Sequence, residues 1–457
     1  MVVLLRKMIE KQFKNILQLS KSHQLKLYIV GGTLRDLILG RQCSDFDFAV
    51  SGASTLAREY AYETKSALVP LDNTPGRETF RVVIKKNICF DFSELQGESI
   101  KTDLSQRDFT INAMAISLQN FIEGSKDFID PHNGKHDIDK KIIRVLPGPT
   151  FLSDPLRMLR AFRFMSKIQF KIESATFNEI KRLGAKINHV ATERILSELK
   201  ILLSSTEASP SIEAMHNSGM LKHIFPDLYK NNKAPSSLKT FNHLENLTSN
   251  SKQIKIKPLI EIKKSLSNKT EIIKLSSILY PLIKISKNNK EKTQRTIIGK
   301  ILSELHASNA DINYIDAITS CANSASNKNL DISKNKLNQI ELYEFVDKNE
   351  PGLISGLFLN FANQKNLPTE KGWKTDPTAK AMQEICNFYY KIYLPAKAKK
   401  PLLNGNDIKK ELKIKPSPII KTILSKIEES RVLGIINTRS EAIQLAKELA
   451  LLFKEGN

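Results

Sequence analysis

The spacing of hydrophobic and polar residues changes once along the chain, near residue 150. Before that point, short apolar runs alternate with amphipathic stretches. The pattern there predicts strands at 27–30, 45–50, 68–71, 80–85, 87–92 and 128–131, and helices at 2–22, 34–39, 54–66 and 103–117. After it, apolar residues recur at three- and four-residue spacing to the end. The predicted fold class is α+β: a small mixed or antiparallel sheet with helices, followed by an elongated all-α neck, body and tail.

The change in pattern also predicts domain boundaries. A chain of 457 residues has room for about three domains. We expect a head over residues 1–147, a helical neck over 148–205, a helical body over 206–393 and a helical tail over 394–457. Within the neck, the strongest helical segment is predicted at 156–167.

The charge balance restricts the class of partner. Lys and Arg number 70 against 48 Asp and Glu, a net charge of +22. Such an excess favours a polyanion, either nucleic acid or an anionic membrane, and a solvated Lys- and Asn-rich composition explains it equally well. No apolar run approaches the roughly 18–20 residues of a membrane span, so we expect no membrane partner.

Cysteine usage and the first residues predict the compartment. The four cysteines are far apart and form no CxxC pair, which argues against a zinc site and a disulfide framework. The apolar stretch after Met1 is too short for a signal peptide and continues into a Lys-rich helical pattern. The sequence therefore predicts a cytoplasmic protein.

An acidic pair follows a glycine turn in the predicted head. Asp45 and Asp47 alternate with two phenylalanines, so on a strand both carboxylates share one face. Gly31 and Gly32, after the preceding strand, allow backbone N–H groups to approach phosphate oxygens closely. Two carboxylates beside such a turn suit Mg²⁺-assisted phosphate chemistry, with Asp45 and Asp47 as metal ligands.

Neighbouring residues extend this candidate site. Arg35 can reach a phosphate, and Asp36 can orient it. Asp91 sits between two phenylalanines, as Asp45 and Asp47 do, and is a candidate third catalytic carboxylate. A chance acidic residue on a solvated face is the alternative for Asp91.

Two motifs resemble known families. Gly-Gly-x-x-Arg-Asp followed by Asp-x-Asp resembles the nucleotidyltransferase superfamily typified by DNA polymerase β. Residues 107–115 resemble the Arg-Arg-Asp-Phe-Thr-Ile-Asn-Ala-Met-Ala block of class II tRNA nucleotidyltransferases and bacterial poly(A) polymerases. The resemblance implies that Arg107, Asp108 and Asn112 bind the nucleotide and its ribose. Gln106 stands where the family has its first Arg.

A third motif begins at Ser153 and contains residues spaced by three, Asp154, Arg157 and Arg160, with Arg163 one step further. Cytosine and adenine each present an amino donor beside a ring-nitrogen acceptor, so an Asp that accepts and an Arg that donates match both bases. Guanine and uracil would face the carboxylate with a lone pair. The motif resembles the family's Glu-Asp-x-x-Arg, which selects CTP and ATP, with Ser153 in place of Glu. The alternative is a capped helix with solvated arginines.

Further resemblance is uneven. Residues 192–199 resemble the family's Glu-Arg-x-x-x-Glu-Leu block, in which Arg194 and Glu198 brace the neck; a surface ion pair fits equally well. Weak similarity returns between 401 and 442. In relatives the intervening region grips the tRNA elbow. The basic segments at 252–274 and 284–300 suit phosphate contacts or solvated faces.

The resemblance implies an enzyme that adds CMP and AMP from CTP and ATP to the 3′ end of tRNA, with Mg²⁺ and release of pyrophosphate. Alternatives are an enzyme that adds only A or only C, a poly(A) polymerase, a small-molecule nucleotidyltransferase and an inactive RNA-binding homologue. No His-Asp phosphohydrolase pattern is visible, so no second activity is expected. We also expect no stable protein partner.

Overall fold

The computed structural model describes residues 2–85, 88–249, 256–283, 291–326, 337–364 and 376–455. The chain divides into two compact units, Met1–Ala191 with Ala214–Ile224, and Thr192–Glu213 with Phe225–Asn457. Outside the described residues lie residues 86–87, where two predicted strands adjoin, residues 252–255 of the first basic segment and residues 284–290 of the second.

Eight strands are present in the described part of the first unit: β1 Leu27–Val30, β2 Asp45–Val50, β3 Ala67–Asp72, β4 Thr79–Lys85, β5 Ile88–Glu94, β6 Ala115–Ser117, β7 Ile142–Ile143 and β8 Lys171–Ile172. The helices before residue 191 are α1 Val2–Ser22, α2 Gly31–Ile38, α3 Ala53–Thr64, α4 Ile100–Ser105, α5 Leu118–Ile122, α6 Gly134–Lys140, α7 Thr150–Ser153, α8 Leu156–Ile168 and α9 Ser174–Leu183. Short 3₁₀ turns lie at Thr110–Asn112 and Gly184–His189.

The six-stranded sheet has the order β3-β4-β5-β2-β1-β6. Its neighbouring strands are antiparallel except β2 and β5, which run parallel with Asp47 opposite Asp91. The prediction of a small mixed sheet is therefore confirmed. Since side chains in register lie on the same face, this pairing brings the carboxylates of β2 and β5 together.

Aromatic residues fill the opposite face of the sheet. Phe46 and Phe48 are 3% and 0% exposed, and their rings lie 5.2 and 5.9 Å from that of Phe13 on α1, edge to face. Phe90 of β5 completes the cluster. Burying each such ring contributes about 1.5–3 kcal/mol. This packing fixes the register of β2 and therefore the face that its carboxylates occupy.

Several predicted elements differ from the observed ones. The helix predicted at 34–39 begins at Gly31, because the two glycines form its first turn rather than a preceding loop. The stretch 103–117 is not one helix: α4 ends at Ser105, a 3₁₀ turn follows, and Ala115 starts β6. Residues 128–131 form no strand, only one bridge between Ile129 and Ala115.

From residue 192 onward the described residues form helices: α10 Thr192–Leu203, α11 Ser209–Asn217, α12 Met220–Ile224, α13 Pro226–Lys230, α14 Ala234–Ser249, α15 Leu259–Ser267, α16 Thr270–Leu279, α17 Glu291–Glu304, α18 Asn309–Ser326, α19 Gln339–Asn349, α20 Leu353–Ala362, α21 Pro377–Phe388, α22 Leu394–Lys397, α23 Gly405–Leu412, α24 Pro418–Val432 and α25 Arg439–Glu455. A 3₁₀ turn, Tyr280–Leu282, follows α16, and a π-helical turn, Tyr389–Tyr393, joins α21 to α22. This confirms the predicted helical remainder.

The second unit contains a large apolar core and a smaller one near its C-terminal end. In this unit, the buried Lys274 ammonium pairs with Glu245, whose carboxylate also accepts hydrogen bonds from the backbone N–H groups of Ala208 and Ser209. A buried charge of this kind requires such partners. Among the described residues, no helix is long and apolar enough to cross a membrane.

Candidate functional site

One cavity of about 590 Å³ in the first unit gathers most of the predicted site residues. Its walls come from the end of β1, from β2, β4 and β5, from α2, from the segment around α4, and from α8. The predicted residues that line it are Gly31, Gly32, Arg35, Asp47, Arg107, Asp108, Asn112, Arg157, Arg160 and Arg163. Four other predicted residues, Asp36, Asp45, Asp91 and Asp154, do not line it.

The start of α2 forms the floor of the cavity. Gly31 has φ +63°, a conformation that favours glycine. A Cβ atom at this position would lie 2.9 Å from Nη1 of Arg107 and 3.6 Å from Oδ2 of Asp47. Glycine is therefore favoured here by the backbone conformation and by the close approach of the Arg107 guanidinium.

Asp47 is held by α2. Its Oδ2 accepts hydrogen bonds from the backbone N–H of Thr33 at 3.3 Å and from the Thr33 hydroxyl at 3.2 Å. The Thr33 hydroxyl bonds to β2 rather than capping α2, since it also accepts from the Asp47 N–H at 2.7 Å. Burial and the nearby Asp91 raise the pKa of Asp47, and the Thr33 hydrogen bonds only partly offset them.

Asp91 is paired with an arginine. Both carboxylate oxygens accept from Arg81 at 2.8 Å, from Nε and from Nη2. Nη2 of Arg81 also lies 3.9 Å from Asp45, whose side chain is about half exposed. Arg81 therefore neutralises Asp91 and stands beside the carboxylate pair of β2. A catalytic role for Asp91 stays a prediction.

The donor set of β2 fits a hard divalent cation. Asp45 and Asp47 share one face of the strand, and Asp47 is a partly buried carboxylate whose charge is disfavoured by Asp91. Within the described ranges, no cluster of three or more His, Cys, Asp or Glu side chains could hold a metal ion. Magnesium commonly takes only one or two protein carboxylates and completes its shell with water and substrate phosphates, so this pair suffices.

Arg107 reaches the cavity from the turn after α4. Its Nε and Nη2 donate to Oδ2 of Asp103 at 3.0 and 2.8 Å, an i,i+4 pair with a buried carboxylate. Nη1 points toward Gly31, as the close approach to its Cβ position shows. Asp103 thus fixes the Arg107 guanidinium with its Nη1 toward the start of α2.

Asp108 and Asn112 link three elements. Asp108 accepts from the Phe109 N–H at 2.8 Å and from Nδ2 of Asn112 at 3.0 Å, and its Oδ2 lies 2.7 Å from Nη2 of Arg160 on α8. Oδ1 of Asn112 accepts from Nη1 of Arg35 at 2.8 Å. Burial raises the pKa of Asp108, but Arg160 and these hydrogen bonds outweigh it, so the net pKa is lowered. The carboxylate is therefore charged at neutral pH.

The two residues of the predicted base-selecting pair lie in different local structures. Arg157, in the first turn of α8, donates from Nη1 and Nη2 to the carbonyl oxygens of Arg107 at 3.0 Å and Gln106 at 2.9 Å. Asp154 lies before the helix in extended conformation, and its Oδ1 accepts the Leu156 N–H at 3.2 Å. The expectation that Asp154 shares a helical side with Arg157 and Arg160 is therefore wrong, because α8 begins only at Leu156. Burial lowers the pKa of Arg157.

Two functional-site residues were not predicted from the sequence. Arg77, from the turn between β3 and β4, lines the wall, and so does Phe164 of α8. Arg77 follows Pro75-Gly76, a pair typical of turns, between two predicted strands, and this was a usable signal. Phe164 carries no such signal, since an aromatic residue on an amphipathic helix is ordinarily core.

A second polar network lies behind the Thr110–Asn112 turn. The Thr110 hydroxyl donates to Oδ2 of Asp137 at 2.7 Å, and Nε of Arg144 donates to the same oxygen at 2.9 Å. Arg144 also pairs with Glu173 at the start of α9. The network holds the turn that carries Asn112, and no motif in the sequence marks Asp137 or Arg144 as part of it.

Three family models match the chain in order. The poly A polymerase head domain matches residues 27–144, the "Probable RNA and SrmB-binding site of polymerase A" matches residues 169–231, and tRNA nucleotidyltransferase domain 2 matches residues 290–446.

Named relatives agree with these models. A CC-adding tRNA nucleotidyltransferase of Geobacter sulfurreducens is 38% identical over 43% of this chain, and the match spans 45% of its own length. A CC-adding tRNA nucleotidyltransferase of Synechocystis sp. is 28% identical over 92% of this chain and 93% of its own. A CCA-adding enzyme of Ligilactobacillus salivarius is 28% identical over 95% of both chains.

Solved structures share the fold. A CCA-adding enzyme in complex with ATP matches 98% of this chain and 96% of its own with a TM-score of 0.67 and 23% identity. The head, the cavity and these matches define a nucleotidyltransferase. Within that class, the chain belongs to the family of class II tRNA nucleotidyltransferases and bacterial poly(A) polymerases, as its motifs predicted. Nucleotidyltransferases of this family use divalent metal ions.

Proposed function

We propose that the protein adds CMP and AMP, taken from CTP and ATP, to the 3′ end of tRNA without a nucleic-acid template and releases pyrophosphate. One observation carries the proposal. A single cavity has the Asp47 carboxylate and the Gly31–Gly32 turn on one wall and three arginines of α8 on another. A nucleoside triphosphate needs both walls, one for its phosphates and one for its base.

The reaction is an in-line displacement in which the 3′ hydroxyl of the tRNA attacks the α-phosphorus. Asp45 and Asp47 would hold Mg²⁺, which supplies charge neutralisation of the triphosphate and activation of the attacking hydroxyl when bound. The turn at Gly31–Gly32 leaves room for phosphate oxygens, and Arg107 and Arg35 add positive charge beside it.

Arg157 selects the base together with Asp154 in this proposal. Arg157 now donates to two carbonyl oxygens, both next to the cavity. Cytosine and adenine present acceptors that can replace those carbonyl oxygens as partners of the Arg157 guanidinium. Guanine and uracil leave the carboxylate of Asp154 facing a lone pair. Asp108 and Asn112 suit the ribose, since both carry hydrogen-bonding groups on the cavity wall.

A second candidate is an enzyme that adds only the two cytidines. Relatives named CC-adding include the Geobacter and Synechocystis proteins, and the latter matches nearly the whole chain. The segment 69–83 also resembles a subgroup of the family in which C and A addition are divided between two enzymes. We also propose a cytoplasmic location, where tRNA, CTP and ATP are available.

Incubation of the full chain with Mg²⁺ and tRNA ending before CCA, after C or after CC distinguishes these readings. Each tRNA receives CTP, ATP or both, and the products are sequenced. Complete CCA on the shortest tRNA supports the proposal. Addition of two C residues to the shortest tRNA, with no A added to the CC-ending tRNA, supports the second candidate. Addition of a single A to the CC-ending tRNA, with no addition to the other two, indicates an A-adding enzyme.

The same experiment tests the remaining alternatives. Long A tails on unrelated RNA indicate a poly(A) polymerase, and RNA binding without incorporation indicates an inactive homologue. Asp47→Ala should abolish incorporation, because a metal-holding carboxylate is lost. Asp127→Ala, an exposed aspartate outside this cavity, is the matched control and should retain activity. Full activity of the Asp47 variant contradicts the metal assignment.

A further inference from the structure

The ring of Phe164 lies among three guanidinium groups. The distances from its centroid to the guanidinium carbons are 4.2 Å for Arg163, 5.2 Å for Arg35 and 5.8 Å for Arg160. All four side chains line the nucleotide cavity described above. Arg160 and Arg163 come from α8 itself, whereas Arg35 comes from α2, so the ring contacts guanidinium groups of two elements.

Three positive charges this close repel one another, and the surroundings offset the repulsion. Nε of Arg35 donates to Oδ1 of Asp36 at 2.9 Å, and Nη2 of Arg160 lies 2.7 Å from Asp108. The π face of an aromatic ring carries partial negative charge and attracts cations within about 6 Å of its centroid. Phe164 supplies that face where the three arginines converge.

Packing alone does not require an aromatic residue here. Phe164 is 5% exposed, and its apolar contact with the core includes Phe109, with 5.6 Å between ring centroids at an interplanar angle of 84°. Leucine or methionine would fill a buried position of this kind with similar apolar area. What they would lack is the π face, and the π face is the part of the side chain that the guanidinium groups occupy.

We propose that Phe164 is a positioning residue whose ring holds Arg35, Arg160 and Arg163 as one preformed cationic wall for the nucleoside triphosphate. This inference rests on the proposed function, because it assigns the wall to the nucleotide of that reaction. Preformed side chains lose little conformational freedom when the ligand arrives, so the wall increases affinity through a lower ordering cost. Phe164 itself need not touch the nucleotide.

The test is the affinity of the full chain for ATP and for CTP, measured by calorimetry with Mg²⁺ and without tRNA. Phe164→Leu should weaken the dissociation constant about tenfold, because desolvated cation–π contacts are lost. Phe164→Met should show the same loss of affinity with a side chain of different shape. It replaces the leucine variant if that variant does not fold. Phe164→Tyr keeps the ring and should bind within about threefold of the wild-type chain, while all variants should bind tRNA equally well.

Phe162 provides the matched control. It lies on the same helix, is fully buried and is not part of the cavity wall. Phe162→Leu should lower the melting temperature about as much as Phe164→Leu and leave nucleotide affinity unchanged. Equal loss of affinity in both leucine variants, or none in either Phe164 variant, overturns the positioning role. If the wild-type chain binds neither nucleotide, the proposed function itself fails; unchanged binding in the Phe164 variants alone refutes only this inference.

Discussion

The carboxylate of Asp108 lies 2.7 Å from Nη2 of Arg160, and this ion pair joins the segment after α4 to helix α8. Asp108 is almost completely buried, whereas about a third of the Arg160 side chain is exposed. The same carboxylate accepts from Asn112, which accepts from Arg35. One aspartate therefore aligns groups that three separate motifs contribute to the cavity.

Asp108→Asn should lower the free energy of unfolding by about 3 kcal/mol near pH 7, because it leaves the Arg160 charge without its buried partner. The native pKa of Asp108 lies below its ordinary value of 3.8, so the carboxylate stabilises the native state above that pH. This stabilisation is lost as the pH falls through the lower native pKa. Urea unfolding followed by circular dichroism between pH 3 and 7 measures the difference.

Asp127→Asn is the control for this substitution, since the Asp127 side chain is exposed. It should change stability by less than about 0.5 kcal/mol at every pH. A difference between wild type and Asp108→Asn that stays constant down to pH 3 contradicts the assigned titration.

Alternation along β2 sufficed to predict the strand and the shared face of Asp45 and Asp47, because period-two patterns reflect burial directly. The start of α2 was not predictable, since Gly-Gly ordinarily marks a turn and here begins a helix. The contact of Arg157 with the carbonyls at residues 106 and 107 joins segments distant in the chain. No local pattern encodes such a contact, and the same holds for the ring of Phe164 between its arginines.

Gly31→Ala should slow nucleotide addition strongly, because its Cβ would lie 2.9 Å from Nη1 of Arg107 and displace it. Gly40→Ala is the control, because it introduces the same backbone strain without the clash. Gly40 has φ +67°, close to the +63° of Gly31, and a Cβ there would meet nothing within 4 Å. Both variants should lose about 1 kcal/mol of stability from the left-handed conformation.

Rates of CMP and AMP incorporation then compare the two glycine variants. We expect Gly40→Ala to stay within about twofold of the wild-type rate and Gly31→Ala to fall at least a hundredfold, as when a reacting group is misplaced by about 1 Å. Similar rates for the two variants would refute the close approach at Gly31.

Arg157→Lys should relax the choice of nucleotide. Lysine keeps the charge but cannot reproduce the planar fork that now donates to two carbonyl oxygens and, in the proposed reaction, to the base. The preference for CTP and ATP over UTP and GTP, measured as ratios of kcat/KM, should fall at least tenfold. Arg182→Lys, an exposed arginine on α9, should leave these ratios unchanged. Loss of tRNA affinity with unchanged ratios would show that Arg157 serves RNA binding instead.

Arg77→Ala should raise the KM for ATP and CTP three- to tenfold with little change in kcat. Arg77 lines the cavity from an exposed turn, and the preceding Gly76 carbonyl accepts from Nε2 of Gln96 at 2.6 Å, which anchors that turn. Its positive charge acts on Arg157 across the cavity, so it can reach a triphosphate bound between them. A three- to tenfold change corresponds to about 0.6–1.4 kcal/mol, which is within the range of one hydrogen bond. Arg58→Ala, on α3 outside the cavity wall, controls for the lost positive charge and should leave KM unchanged. An equal rise in KM in both variants would mean that Arg77 acts only through the overall electrostatic field of the protein.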